Sequence, residues 1–282
     1  SKLIKYFSKN DKNIHFYKKD LTDPLNLKKI IRKKYDFIFL AATYGFPEKW
    51  LKDQIGTIFL NTYLLQLIFE KYKKTNTRFL YFSSVDVYGD TNLDKKNIAV
   101  QENYPGSVSL TSKRITYGEA KRMGEVICKN YINTFKMKIY IVRSAHTYGP
   151  GLKKNDKRVV VDFIKKAKNK NLKMLDKGKA VKTFGYVGDI TEMFLNIIQF
   201  GKENLYNTTG KNYISIYSLA RTINSFFPKS KLTISKYKNK SLYVNSDPKK
   251  NLISSKKYNK EFNKKKYTKL KEGLKNLIEW LN

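Results

Sequence analysis

Three short runs of unbroken apolar residues constrain this chain most: Phe37-Ile38-Phe39-Leu40-Ala41-Ala42, Phe79-Leu80-Tyr81-Phe82 and Ile139-Tyr140-Ile141-Val142. A strand with one wet face alternates polar and apolar residues. These do not, so they are predicted as strands buried on both faces, the habit of a parallel sheet covered by helices. Helical stretches separate them, near 52–72 and 111–134; in the second, Ala120, Met123, Ile127 and Tyr131 recur at three- and four-residue spacing. The alternation predicts an α/β fold, a Rossmann-like doubly wound parallel sheet. A length of 282 residues suits one large α/β domain with a smaller lobe, and an apolar share of 41% is enough for a proper core.

After Gly151 the texture changes. A helix is predicted near 158–170, then a strand pair at Met174-Leu175 and Thr183–Val187 turning at Asp176-Lys177-Gly178. Helices follow near 189–200, 215–227 and 266–281, while the lysine-rich stretch 229–265 gives no clear pattern. Residues 1–150 are therefore expected to hold the main sheet and 151–282 a smaller C-terminal α/β lobe.

The formal net charge of +35 raises the question of nucleic acid. Only seven of the 58 basic residues are arginine (32, 78, 114, 122, 143, 158 and 221), and the lysines are spread through every helix. Bidentate base and phosphate recognition favours clustered arginine, so the charge reads as compositional drift and no nucleic-acid partner is expected. A positive surface would still attract an anionic substrate. No segment reaches the roughly 18 apolar residues of a membrane span, so no membrane partner is expected. The single cysteine, Cys128, excludes an internal disulfide, fits a reducing cytoplasm, and is expected in the core of a helix.

Two local patterns carry possible chemistry. Tyr117 and Lys121 stand at i and i+4, on one helix face. A lysine ammonium near a phenol would lower its pKa towards that of a usable base. On spacing alone the pair reads first as an exposed surface pair. Ser83-Ser84-Val85-Asp86-Val87-Tyr88-Gly89 directly follows the second apolar run, and the carboxyl ends of parallel strands are where ligands bind. Alone, it reads as a strand-to-loop turn with a capping Asp.

Taken in order, Leu40-Ala41-Ala42, Asn61, Ser83-Ser84-x-Asp86-Val87-Tyr88-Gly89, Tyr117-x-x-x-Lys121, Arg143, Thr147-Tyr148-Gly149-Pro150-Gly151 and Tyr186-Val187-x-Asp189 resemble the NAD-dependent epimerase/dehydratase family of extended short-chain dehydrogenases. With Asn155-Asp156-Lys157-Arg158-Val159-Val160, the sequence is most similar to the UDP-glucuronate decarboxylases within it.

The resemblance implies a cytoplasmic homodimer, paired through the Tyr–Lys helix, that binds NAD and a nucleotide sugar. It makes 1–150 the NAD-binding domain and 151–282 mainly substrate-binding. Tyr117 would take the proton of the sugar 4-hydroxyl, Ser84 would hydrogen-bond that hydroxyl, and Lys121 would tune the phenol and hold the nicotinamide ribose. Asp20, Leu21, Leu40, Ala41, Ala42, Asn61, Ser83 and Ser144 would complete the NAD site. Tyr88, His146, Arg158 and Lys182 would contact substrate, Arg158 foremost at phosphate. No metal is implied. Dehydratases carry an Asp-Glu pair where this chain has Val85-Asp86, and Val85 cannot donate a proton. A single carboxylate suits decarboxylation of a 4-keto uronate better, with 4-epimerisation or a non-catalytic sugar-nucleotide-binding relative as the alternatives.

Several positions depart from the family pattern. Asp86 stands where Glu is usual, His146 where Asn is common, and Lys182 where arginine is expected. Asp189 is expected to cap a helix. The dinucleotide fold also uses a glycine-rich turn after its first strand, yet the first glycine here is Gly45. The expectation is a truncated sequence, with about 40 family residues before Ser1, and weak or absent NAD binding by these residues alone.

Overall fold

The computed structural model of the chain describes residues 11–31, 33–45, 47–91, 98–106, 108–112, 114–211, 213–235 and 249–282. Its centre is a four-stranded parallel sheet of β1 (Phe37–Leu40), β2 (Arg78–Ser84), β3 (Lys138–Ser144) and β7 (Leu205–Thr208), in that spatial order. The two-residue period of a strand sends alternate side chains to opposite faces. Phe79, Tyr81, Ile139 and Ile141 pack on one face against Leu64, Leu65, Ile68, Phe69, Ile127 and Cys128. These come from α4 (Tyr63–Tyr72) and α5 (Ile115–Phe135). Leu80, Tyr140 and Val142 pack on the other against Ile190, Met193 and Ile197 of α7 (Val187–Phe200). Both faces of β2 and β3 are thus covered, which explains their unbroken apolar runs.

The same expectation fails for β1, where Phe37 and Phe39 are each 45% exposed. Among the described residues β1 pairs with β2 alone. The helix expected over 52–72 is two helices, α3 (Gln54–Asn61) and α4, which part at Thr62 (φ −129, ψ −77). The Thr62 hydroxyl donates to the Ile58 carbonyl and its amide to Phe59, a local competition that bends the chain. Asp53 caps α3 by accepting from the Gly56 amide at 2.8 Å.

The remaining strands form two smaller sheets. In one, β4 (His146–Tyr148), β6 (Val181–Tyr186) and β10 (Lys250–Asn251) run parallel, and β8 (Tyr213–Ser215) joins β6 antiparallel. In the other, β5 (Asn171–Met174) pairs with β9 (Lys231–Ile234). The predicted pairing of the Met174 and Thr183 strands is therefore wrong. The turn forms, with Asp176 accepting from the Gly178 amide at 2.7 Å, but Gly178 (φ +59) also accepts from the Tyr217 amide. That bond ties the loop to α8 (Ile216–Asn224) instead of closing a hairpin. A second core joins α6 (Val159–Lys168), α8 and α10 (Leu270–Leu281) through Val161, Ile164, Leu219, Ile223, Leu274 and Leu277. Of the lysine-rich stretch, 236–248 lies outside the described residues, and α9 (Lys256–Glu261) follows it. No helix among the described residues is long and apolar enough to cross a membrane.

Candidate active site

β2 ends at Ser84, and the chain turns at once into a 3-10 turn, Val85–Tyr88. Ser84 caps that turn by accepting from the Asp86 amide at 3.2 Å, and Gly89 (φ +64) ends it. In register with Ser84 stand Ser144 on β3 and Thr208 on β7, so hydroxyl residues line the carboxyl edge of three adjacent strands.

Across the turn, the start of α5 brings Tyr117 to the same place. The Ser84 hydroxyl stands beside the phenol. Burial first, then the Asp86 carboxylate, push its pKa above the ordinary phenol range; the Ser84 hydroxyl and Arg114 oppose them. One turn on, Lys121 is 1% exposed and its Nζ donates to the Phe82 carbonyl at 2.5 Å. Nζ lies 5.0 Å from the Tyr81 ring centre and 6.0 Å from that of Tyr117. Burial pushes the Lys121 pKa down to about 7, against Cys128 and Glu125. Burial thus opposes the acidification of Tyr117 expected from this lysine, which is itself desolvated.

Asp86 pairs with Arg114 at 3.0 Å, both side chains under 20% exposed. Trp50, on the short helix α2 (Pro47–Lys52), stacks on Tyr117 with ring centres 5.5 Å apart and planes 20° apart. The Arg114 guanidinium carbon lies 5.3 Å from the Trp50 ring centre.

Under these groups lies a buried polar layer. Arg143 grips Glu125 with Nε at 2.9 Å and Nη2 at 2.6 Å, and the Ser83 hydroxyl donates to the same carboxylate at 2.5 Å. The Arg143 guanidinium carbon lies 4.6 Å from the ring centre of Tyr88, whose hydroxyl donates to Asn207 at 2.7 Å. Ser83 and Tyr88, read from sequence as cofactor and substrate contacts, here have their hydroxyls engaged in this layer. Ser83 points the opposite way from Ser84 because strand neighbours alternate. Tyr88 is fully buried beneath the turn.

The Arg158 guanidinium, expected at substrate phosphate, is held here by Asp156 at 2.7–3.1 Å. Lys182 is buried in β6, and His146 is half-buried with its ring 5.7 Å from Phe184. Leu21, Leu40, Ala41 and Ala42 line one apolar trough of about 320 Å³. The Asp20 carboxylate accepts from the Thr22 amide and hydroxyl, which lower its pKa. Asn61 is 1% exposed and donates to the Thr57 carbonyl, while its Oδ1 has no partner. A buried amide oxygen without a donor fits a site completed by a polar ligand.

Sequence reasoning missed Trp50, Arg114 and Glu125. Glu125 follows Lys121 by four residues, a legible signal; Trp50 gives none.

A Rossmann-like sheet whose carboxyl edge carries a Ser–Tyr–Lys set defines a short-chain dehydrogenase type of protein. Residues 4–208 match the NAD dependent epimerase/dehydratase family, and the chain belongs to it. It is 26% identical over 212 residues to UDP-glucuronic acid decarboxylase 1 of Xenopus tropicalis, a match covering 75% of this chain and 48% of the relative. The chain spans about half the length of the curated relatives it matches. The solved UDP-glucose 4-epimerase of Thermotoga maritima superposes with a TM-score of 0.80 at 19% identity, over 96% of this chain and 85% of that one. A UDP-glucuronic acid 4-epimerase of Bacillus cereus, solved with UDP-glucuronic acid and NAD, gives 0.77 at 23%, over 95% and 81%. At such identities these structures share the fold.

Proposed function

We propose that the protein converts a nucleotide sugar through a 4-keto intermediate, and that the reaction is decarboxylation of UDP-glucuronate to UDP-xylose. The observation that carries this is a single carboxylate, Asp86, paired with Arg114 beside Ser84 and Tyr117. Tyr117 Oη takes the proton of the sugar 4-hydroxyl, and Ser84 orients that hydroxyl. NAD, when bound, supplies the hydride acceptor for C4 and the donor that returns it. Lys121 and Asn61 are the polar groups placed to hold its nicotinamide end, and Leu21, Leu40, Ala41 and Ala42 give it an apolar wall. Once C4 is a ketone, the C6 carboxylate is β to it. Carbon dioxide then leaves with the C5–C6 bond electrons delocalised as an enolate. Arg114 offers a guanidinium for the uronate carboxylate. Asp86 relays a proton from solvent to C5 of the enolate, and the proton held by Tyr117 returns to O4 when hydride returns to C4. Val85 supplies no acid for loss of a 6-hydroxyl.

A homodimer is part of this reading. α3 and α5 pack together, and leave Ile55, Ile58, Met123 and Val126 between 45% and 79% exposed. Such an apolar surface suits a second copy.

The test is incubation of the full-length protein with UDP-glucuronate and NAD, with products read by mass spectrometry. A product lighter by carbon dioxide is expected. An unchanged mass with inverted C4 would replace decarboxylation by 4-epimerisation.

A further inference from the structure

We infer that Trp50 is a positioning residue for Tyr117. Its indole walls the first turn of α5 and holds the phenol where its oxygen meets Ser84, with Arg114 alongside. This rests on the reading of Tyr117 as the base.

Trp50 is 3% exposed, the one buried residue of a six-residue helix. So short a helix has little stability of its own, so its place depends on what that side chain touches. The Glu48–Lys157 contact elsewhere on α2 is a solvent-exposed pair at 2.5 Å and holds little. Buried tryptophans ordinarily join an apolar core, yet Trp50 belongs to none of the four apolar clusters among the described residues. Its ring partners are site groups, Tyr117 stacked nearly parallel and Arg114 within cation–aromatic range. Arg114 and Tyr117 stand three apart at the start of α5, so they present one surface, and the indole covers it.

A phenol attached through two rotatable bonds swings its oxygen by ångströms when its ring tilts. Ser84 stands beside the oxygen, and the Trp50 stack restrains the plane. The groups facing Tyr117 from all sides are Ser84 and Asp86 of the β2 end and turn, Arg114 and Lys121 of α5, Tyr81 of β2 and Trp50 of α2. Of these only Trp50 bears on the ring face without carrying a charge or a proton to exchange. Its removal should therefore alter geometry and leave the proton inventory unchanged.

The experiment compares Trp50→Leu and Trp50→Phe in the full-length protein. Trp50→Leu should lower kcat about ten- to a hundredfold with KM changed less than about twofold, and Trp50→Phe should recover most of the turnover. Near-UV circular dichroism should lose its Trp–Tyr band in Trp50→Leu while the far-UV spectrum stays native. Undiminished kcat in Trp50→Leu, or a Trp50→Phe as slow as Trp50→Leu, overturns the inference. A second measurement needs no change at Trp50. In a Trp280→Phe background of residues 1–282 Trp50 is the sole indole, and Tyr117→Leu should shift its emission; no shift also overturns the inference. Full turnover by Tyr117→Phe would instead sink the base assignment, a separate failure.

Discussion

The ammonium of Lys121 donates to the Phe82 carbonyl at 2.5 Å, so the lysine of the site is bound to the sheet two residues before Ser84. That bond uses one of its three protons, and burial leaves the charge costly. Lys121→Met should therefore raise stability at neutral pH. The folded pKa, about 7, lies below the ordinary 10.5. Between those values the unfolded chain binds the extra proton, so the native protein should gain stability as pH rises from about 7 towards 10. Lys121→Met should flatten that slope, as read by urea denaturation at several pH values.

Removing the Tyr117 hydroxyl should abolish the proton transfer without touching the fold. Tyr117→Phe is expected to lose about 10²- to 10⁴-fold in kcat and to keep its far-UV spectrum. Turnover within a few-fold of wild type would leave the mechanism without its base.

Arg114 is one of the two opposing influences on the Tyr117 pKa, the other being the Ser84 hydroxyl. Arg114→Met deletes a cation beside the phenol, so the phenolate becomes harder to form. The limb of the kcat/KM profile that rises with pH should move to higher pH. A shift to lower pH, or none, would mean that Asp86 absorbs all of the arginine's field.

Glu125 and Arg143 are about one-tenth exposed and doubly hydrogen-bonded. Breaking such a pair strands a buried charge at a cost of about 3–5 kcal/mol. Arg143→Met and Glu125→Gln should each destabilise on that scale, and the double variant by clearly less than the sum. Chemical denaturation of all four proteins measures the coupling.

A charge placed on the outer face of α3 or α5 should keep the protein monomeric. Ile58→Lys with Val126→Lys is expected to sediment as one chain where wild type sediments as two, with turnover of each chain reported separately. A monomeric wild type would remove the dimer from the reading.

Much of this was legible from sequence. The unbroken runs of β2 and β3 announced strands covered on both faces, whereas the like run of β1 leaves Phe37 and Phe39 half-exposed among the described residues, because cover depends on sheet order, which lies outside the local pattern. The proximity of Ser84, Tyr117 and Lys121 was legible because each belongs to a motif with fixed spacing. Which of two adjacent serines turns its side chain towards Glu125 was not, since the sequence does not show the facing of a strand. The Asp156–Arg158 pair was within reach, two residues apart. Trp50 was out of reach: it meets Tyr117 across 67 residues of chain, and nothing around it in the sequence marks the encounter.

The layer of Ser83, Glu125 and Arg143 lies within the last rungs of the ladder between β2 and β3, whereas Val85 and Asp86 come after the final paired residue, Ser84. The buried polar layer and the turn that carries Asp86 therefore occupy different storeys, and a substitution in the unladdered turn leaves the foundations standing.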